Sequence, residues 1–514
     1  MTLRRFLDRW PFLALASLAA TAVLLFFGTG LHPFGWLTWV APLPVLFAAP
    51  RLRPWVSFTI AAFAWLLGSL NLWEEARTVG LSTAVFPLLF ILPATAFGLT
   101  VLLFRAWVLR GGVWQAALSV PTAWVAAEFL YAQKSANGTF GNLGYSQSDF
   151  LPIIQVASIV GLWGISFCLL LVPATAAALL SRYGRREHKQ LLFAGVLIFF
   201  AVVFTYGSQR LDPVGGRRIP MNVALIASDQ FADISPENDD SALALYQRYA
   251  DEVTRKIHGP EVSVAVLPEK IARLSDASTK KLDAIFQDAA LSVRVNILVG
   301  VDRATATAHF NEARLYASNG TMVATYVKQH PLLPAEHLNV PGTGIKLVDA
   351  PFGDWGMEIC KDMDFPSLSR QYGTRGVAML LVPAWDFGSD GWLHSRMAIL
   401  RGVECGCMIV RTARQGQLTI SDARGRVLAE APSIAAPMTT LLATPSAVWH
   451  EETLYVRYGD WFGWSCVGGL LLSLLSLCFP KPRTSRQESG VGINRTEVIS
   501  ADPEVVSSDA KPGS

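Results

Sequence analysis

The sequence is poor in charge. Only 16% of its 514 residues are Asp, Glu, Lys or Arg, while 52% are hydrophobic. A soluble domain typically carries about 25% charge. The deficit excludes a wholly soluble enzyme, and it excludes intrinsic disorder, which needs the opposite balance. Acidic residues are scarcest early: residues 1–219 hold 7 of the 40 Asp and Glu, and 16 of the 43 Lys and Arg. Six cysteines in this length make no disulfide scaffold. A formal net charge of +3 provides no field for nucleic acid. The sequence has no P-loop and no dinucleotide glycine pattern. Cys405 and Cys407 form a CxC pair, but no His/Cys cluster completes a zinc site. No cofactor and no metal is expected.

What the first part does have is long apolar runs. They lie near 11–29, 34–50, 54–72, 83–104, 112–130, 152–180 and 190–207, with one more at 463–480. About 20 residues cross a bilayer. The second run is short and broken by proline, which suits a tilted or re-entrant segment. Arg4, Arg5 and Arg9 precede the first run as in a signal peptide, but no small-residue cleavage site follows, so it reads as a membrane helix.

With the N-terminus inside, the basic loops at Arg51/Arg53, Arg105/Arg110 and 182–189 also fall inside, as do Lys481, Arg483 and Arg486 after the last run. Seven crossings then place residues 208–460 outside. Arg217 and Arg218 run against this pattern. The expected organisation is a seven-helix membrane domain over 1–210, an extracytoplasmic domain over 220–445, a final membrane helix over 460–480 and a disordered cytoplasmic tail over 481–514.

The outer domain alternates strand and helix signals. Buried-strand runs occur at 221–227, 262–268, 295–300, 355–360, 377–383 and 407–413. Helical spacing occurs at 240–257, 278–293 and 392–406, and Asn319-Gly320 marks a hairpin. This is an α/β domain with some antiparallel pairing.

Three polar residues follow strands. Glu269 closes VAVLPE, Lys328 closes TMVATYVK, and Cys360 closes WGMEIC. Active-site groups gather at the carboxyl ends of strands in α/β domains. Singly, each has a bland reading: a surface Glu, an edge Lys, a packing Cys. Together they have chemical logic. A thiol at a strand-to-helix turn meets backbone N–H donors that stabilise a thiolate and an oxyanion. A desolvated Glu is a base for it, and a Lys stabilises the oxyanion formed on attack. His330, His337 and His394 are secondary candidates.

The ordered elements LPEK, YVKQHPLLPAE and EICKDMDFP resemble the nitrilase (carbon–nitrogen hydrolase) superfamily. LHSRMAILRGVECGCMIVRTARQG at 393–416 is similar to its late helix and strand. The resemblance implies an αββα sandwich over about 220–445 with a Glu–Lys–Cys triad. Within that superfamily, eight membrane helices around an external domain look like the apolipoprotein N-acyltransferase family. HPFGWLTWVAPLPVLF at 32–47 and the GYSQ stretch of 141–167 also resemble it. The expected fold is therefore a polytopic helical membrane domain, seven helices plus one, with an inserted nitrilase-like sandwich.

That resemblance implies a bacterial inner-membrane enzyme with its catalytic domain on the periplasmic side. Cys360 would take an acyl chain from a membrane phospholipid as a thioester. The chain would pass to the α-amino group of a diacylglyceryl-modified cysteine on a lipoprotein. Glu269 would be the base, Lys328 and the backbone N–H of Lys361 the oxyanion donors, and Glu336 an additional site carboxylate. Asp362 stands where the family has Glu, and Glu404 would support the site. Trp385, Phe387 and Trp392, in the 384–393 loop, would touch lipid.

The chain departs from the pattern at Cys360-Lys361-Asp362, where the family has Cys-Tyr-Glu. It departs again at Pro383–Gly388, at Ala227–Gln230 and at Thr139-Phe140. These departures keep open a different amine acceptor, or a membrane-anchored hydrolase passing the acyl group to water. A catalytically dead binding module would not need the triad. A transporter would need intramembrane charges, for which Glu128 is the main candidate.

Overall fold

Short β-branched runs build two sheets, and each sheet buries both faces. The computed structural model describes residues 10–78, 86–212, 221–230, 238–257, 262–351, 353–434, 436–445 and 450–479. Expectations for Arg4, Arg5, Arg9, Arg217, Arg218 and the 481–514 tail lie outside the described residues.

The first sheet contains β1 (Asn222–Ala227), β2 (Val262–Val266), β3 (Arg273–Ser275), β4 (Asn296–Ala304), β5 (His309–Tyr316), β6 (Met322–Val327) and β13 (Thr439–Ala443). Its order is β13-β1-β2-β4-β5-β6, with β3 pairing on β4. The second contains β7 (Leu347–Val348), β8 (Trp355–Met357), β9 (Met379–Trp385), β10 (Met408–Arg414), β11 (Gln417–Ser421) and β12 (Val427–Pro432), in the order β12-β11-β10-β9-β8-β7. β5 and β6 form the hairpin expected at Asn319-Gly320.

Alternate residues explain the layering. Val223, Leu225, Val264, Val266 and Leu298 from one sheet meet Met357, Met379, Leu381 and Val410 from the other in a single core. The opposite face of the first sheet, with Ala224, Ile226, Ile297 and Val299, is covered by helices Asp239–Lys256 and Thr279–Val293. Leu380, Val382 and Ile409 of the second sheet are covered by Pro366–Gly373 and Gly391–Cys405, where Cys405 and Cys407 simply pack. The result is an αββα sandwich.

Among the described residues, six helices are long and apolar enough to cross a membrane. They are Trp10–Gly28, Pro54–Thr78, Leu89–Leu109, Leu162–Leu180, Arg186–Leu211 and Trp461–Cys478. A seventh, Val113–Ala132, has 20 residues and is less apolar; it packs against Phe86–Leu109, Leu162–Leu180 and Trp461–Cys478. The 34–50 run, counted among the seven crossings but expected to be tilted or re-entrant because proline breaks it, does not form a single helix. It folds as short pieces, Gly35–Trp39, Leu43–Ala48 and Ala49–Arg51. Pro42, Pro44 and Pro50 lack the N–H that a continuous helix needs. The 152–180 run is likewise interrupted, by Gly161 at φ +70°, before Leu162 opens the long helix.

The helix Gly391–Cys405 is buried on both sides. One face meets the second sheet, while Leu393, Met397, Leu400 and Val403 join the core of the membrane domain. The two sequence segments that carried the finer resemblance also meet each other. Gln147 Nε2 donates to the Gly35 carbonyl at 2.7 Å, and Trp39 Nε1 donates to Gln147 Oε1 at 2.8 Å.

Candidate active site

Glu269, Lys328 and Cys360 follow β2, β6 and β8, and all three line one cavity of about 970 Å³. Backbone contacts hold the strand ends together. Glu269 N donates to the Ala384 carbonyl of β9 at 3.3 Å, which joins one sheet to the other. The turn at Glu269 lies directly on β4 at Gly300. A Cβ there would stand 2.3 Å from the Pro268 carbonyl oxygen, so only glycine fits.

The polar network is closed and buried. Lys328 Nζ lies 2.8 Å from Glu269 Oε1 and 3.0 Å from Glu336 Oε2. Lys270 Nζ reaches Glu336 Oε1 at 3.0 Å. Asn311 Nδ2 donates to Glu269 Oε1 at 2.6 Å and to Glu336 Oε1 at 2.9 Å. Leu332 N donates to Glu336 Oε2 at 2.7 Å. Burial opposes the charge on Lys328, but Glu269 and Glu336 override it and hold its pKa well above the ordinary lysine value. Burial likewise opposes ionisation of Glu336, yet Lys328 and Lys270 bring it down to about 2. Lys328 is thus a fixed ammonium between two carboxylates.

Cys360 sits at φ +45°, a left-handed turn that an L-residue adopts only under constraint. Its Sγ is 3.5 Å from the Trp385 carbonyl. The residue keeps some surface toward the cavity but is otherwise enclosed by protein. Burial, then the negative charge of Glu269, push the thiol well above its ordinary value, against the pull of Lys328. The short turn Cys360–Asp364 supplies too little helix to offset this. The resting group is a thiol that needs its base.

The other expected residues fall in different places. Trp385 and Phe387 line the cavity, while Trp392 does not. The Trp392 ring instead lies 6.0 Å from His32 and under Arg396 at 5.3 Å. Asp362 is fully buried and absent from the cavity wall. Its carboxylate accepts from Gln329 N at 3.1 Å, His330 N at 2.9 Å and Tyr326 OH at 2.7 Å, tying the Lys328 strand to the nucleophile turn. Glu404 also lies away from the cavity. Its Oε1 accepts from Leu162 N at 2.7 Å, and its Oε2 pairs with Arg401 at 2.8 Å. It therefore caps a membrane helix rather than touching the site. Lys361 lines the cavity and donates from Nζ to Asn137 Oδ1 of the membrane domain at 2.7 Å.

Of the three histidines, only His394 lines the cavity. It stands 3.0 Å from Asp390; burial opposes its charge, but Asp390 raises its pKa to about 9. His330 binds Asp362 and stacks on Phe365, with ring centroids 3.6 Å apart. Asn311 and Lys270 escaped the sequence reading. Asn311 lies mid-strand with no motif around it; Lys270 directly follows Glu269 at φ +46°.

The cavity continues into the membrane domain. Gly30, Leu72, Glu75, Phe90, Pro93, Trp124, Glu128 and Tyr131 line its other end. Two contacts hold the 385–391 loop to that end: His32 Nε2 with the Ser389 carbonyl at 3.1 Å, and Ser389 Oγ with Glu75 Oε2 at 3.0 Å. Glu128 Oε1 accepts from Leu143 N at 2.9 Å, so this buried helix carboxylate secures the GYSQ turn. Gly138, at φ +50°, lets the loop after Val113–Ala132 press on the nucleophile turn. A Cβ there would stand 2.3 Å from the Asp364 carbonyl oxygen.

Comparison with known proteins agrees with both halves. The family model for the apolipoprotein N-acyltransferase N-terminal domain matches residues 21–175. The carbon-nitrogen hydrolase model matches 223–457. The apolipoprotein N-acyltransferase of Geobacter metallireducens is 27% identical over 482 residues, 84% of this chain and 89% of that protein. That of Pseudomonas putida is 25% identical over 517 residues, 90% and 97% of the two chains. Among solved structures, an amidase of the nitrilase superfamily from Nesterenkonia AN1 matches with 17% identity and a TM-score of 0.40, covering 48% of this chain and 95% of its own. With both domain models matched in order and full-length relatives on either side of them, the chain belongs to the apolipoprotein N-acyltransferase family, the membrane acyltransferases of the nitrilase superfamily.

Proposed function

We propose that this enzyme moves a fatty acyl chain from a membrane phospholipid, through a thioester on Cys360, to the α-amine of a diacylglyceryl-cysteine at a lipoprotein N-terminus. One observation carries the reading: a single cavity has the triad at one end and membrane-helix side chains at the other. Both substrates carry acyl chains whose extraction from the bilayer costs about 0.8 kcal/mol per CH₂. A cavity reaching into the helices lets the ester meet the thiol without that extraction.

Glu269 takes the thiol proton as sulfur attacks the ester carbonyl. The negative charge that develops on the carbonyl oxygen faces the Lys328 ammonium and the backbone N–H of Lys361. The C–O bond breaks, the lysophospholipid leaves with the proton from Glu269, and the acyl chain stays on sulfur. The acceptor amine then attacks the thioester and gives its proton to Glu269. The C–S bond breaks, and the proton returns to Cys360.

The basic loops support an outward-facing catalytic domain. Arg105 Nε donates to the Leu52 carbonyl at 3.1 Å, and Arg110 Nη1 to the Ser476 carbonyl at 3.4 Å. Three basic or adjoining segments therefore share one end of the bundle, opposite the cavity. By the positive-inside rule that end is cytoplasmic.

The test is product analysis after incubation with phospholipid and a diacylglyceryl-cysteinyl peptide. The expected products are lysophospholipid and a peptide carrying a third acyl chain in amide linkage on its α-nitrogen. Release of free fatty acid alone, with the peptide unchanged, would establish the hydrolase instead.

A further inference from the structure

Among the described residues, Lys361 makes no direct ion pair. It is 6% exposed, and it lines the cavity beside the nucleophile. Its hydrogen-bond acceptor, Asn137 Oδ1, is neutral. The other enclosed lysines of this wall are matched by carboxylates: Lys328 by Glu269 and Glu336, and Lys270 by Glu336. Among the described residues, no carboxylate oxygen lies within 4 Å of Lys361 Nζ. A lysine taken out of water in this way is destabilising until an anion arrives. Burial, with the neighbouring Lys328 charge, draws its pKa below the usual value, while Asp364, Cys360 and Glu336 at longer range oppose this only in part.

The position suits a lipid headgroup. Asn137 follows the helix that ends at Ala132. The cavity wall here also includes Gly30, just beyond Trp10–Gly28, and Leu72, in the last third of Pro54–Thr78. These are the depths at which chains leave the hydrocarbon and meet phosphate. In a glycerophospholipid the phosphate lies only a few bonds from the ester carbonyl. A lysine adjacent in sequence to the nucleophile reaches over a similar span. Lysine binds phosphate as a point charge, without demanding a fixed fork geometry.

We propose that Lys361 recognises the phosphodiester of the acyl donor, so that the enzyme selects phospholipids over neutral glycerolipids. This rests on the acyl-transfer reading above and adds a donor-specificity residue to it.

A matched donor pair tests it: dipalmitoyl phosphatidylglycerol against dipalmitoylglycerol, which offers the same esters without phosphate. The measurement is the rate of Cys360 acylation by intact mass in detergent micelles. The native enzyme is expected to prefer the phospholipid. Lys361→Gln is expected to reduce the ratio of the two rates at least tenfold, and Lys361→Arg to retain most of it. An unchanged ratio, with both donors slowed alike, would overturn the proposal and leave Lys361 a packing or oxyanion group. Inorganic phosphate that erases the native preference at low millimolar concentration would assign the site to a free anion and also overturn it. Absence of acylation by either donor in the native enzyme would instead remove the underlying acyl-transfer reading.

Discussion

Lys328→Met is expected to remove activity and stability together. The substitution deletes the ammonium that faces the developing oxyanion. Loss of one preorganised donor of this kind slows reaction by roughly a hundred- to a thousandfold. It also leaves Glu269 and Glu336 as buried carboxylates around an apolar tip, where before they lay 2.8 and 3.0 Å from Nζ. Breaking a buried ion pair from one side destabilises by about 3–5 kcal/mol. Lys270 still neutralises part of the Glu336 charge, which argues for the lower end of that range. The double variant Lys328→Met with Glu336→Gln separates the two effects. Its thermal midpoint in detergent should recover toward the native value, while its rate should not. Recovery of both, or of neither, would contradict the division of roles between the oxyanion donor and the carboxylate that anchors it.

Glu269→Gln is expected to slow acyl-enzyme formation by about a thousandfold or more, because the thiol loses its base. The pH dependence carries the sign. Burial and Glu269 itself hold the Cys360 thiol above its ordinary pKa. The variant removes the second of these contributions and leaves the first. Its residual rate therefore depends on the small thiolate fraction set by solution pH, and should rise nearly tenfold per pH unit across the neutral and mildly alkaline range. In the native enzyme the carboxylate removes the proton during attack, so the same range should show a much weaker slope. Single-turnover acylation between pH 6.5 and 9 measures both. Parallel slopes in the two proteins would mean that Glu269 does not act on the thiol.

The sandwich was legible because its strands are short β-branched runs and its helices keep a clear apolar spacing, as at 240–257 and 278–293. The triad was legible because each member directly follows such a run. What resisted reading depended on three-dimensional neighbours. The proline break in the 34–50 run is visible in the sequence, but the contact of its pieces with Gln147 is not. Glu404 sits in a recognisable helix, but only the packed structure shows its carboxylate turned to Leu162 and the membrane domain. Asn311 carries no motif at all, yet it joins both site carboxylates. Trp392 shares a loop with Trp385 and Phe387, but the helix starting at Gly391 turns it toward His32 and Arg396. The N–H donors near the thiol are visible in the sequence, while the burial around it is not.

The central claim is that Cys360 takes an acyl chain from lipid inside the cavity shared with the membrane helices. Intact-mass spectrometry of the purified protein after incubation with a phospholipid of defined chains tests it most directly. The predicted result is one added acyl mass that hydroxylamine removes and that Cys360→Ala never acquires. An adduct that persists in Cys360→Ala, or no adduct from any phospholipid, would contradict it.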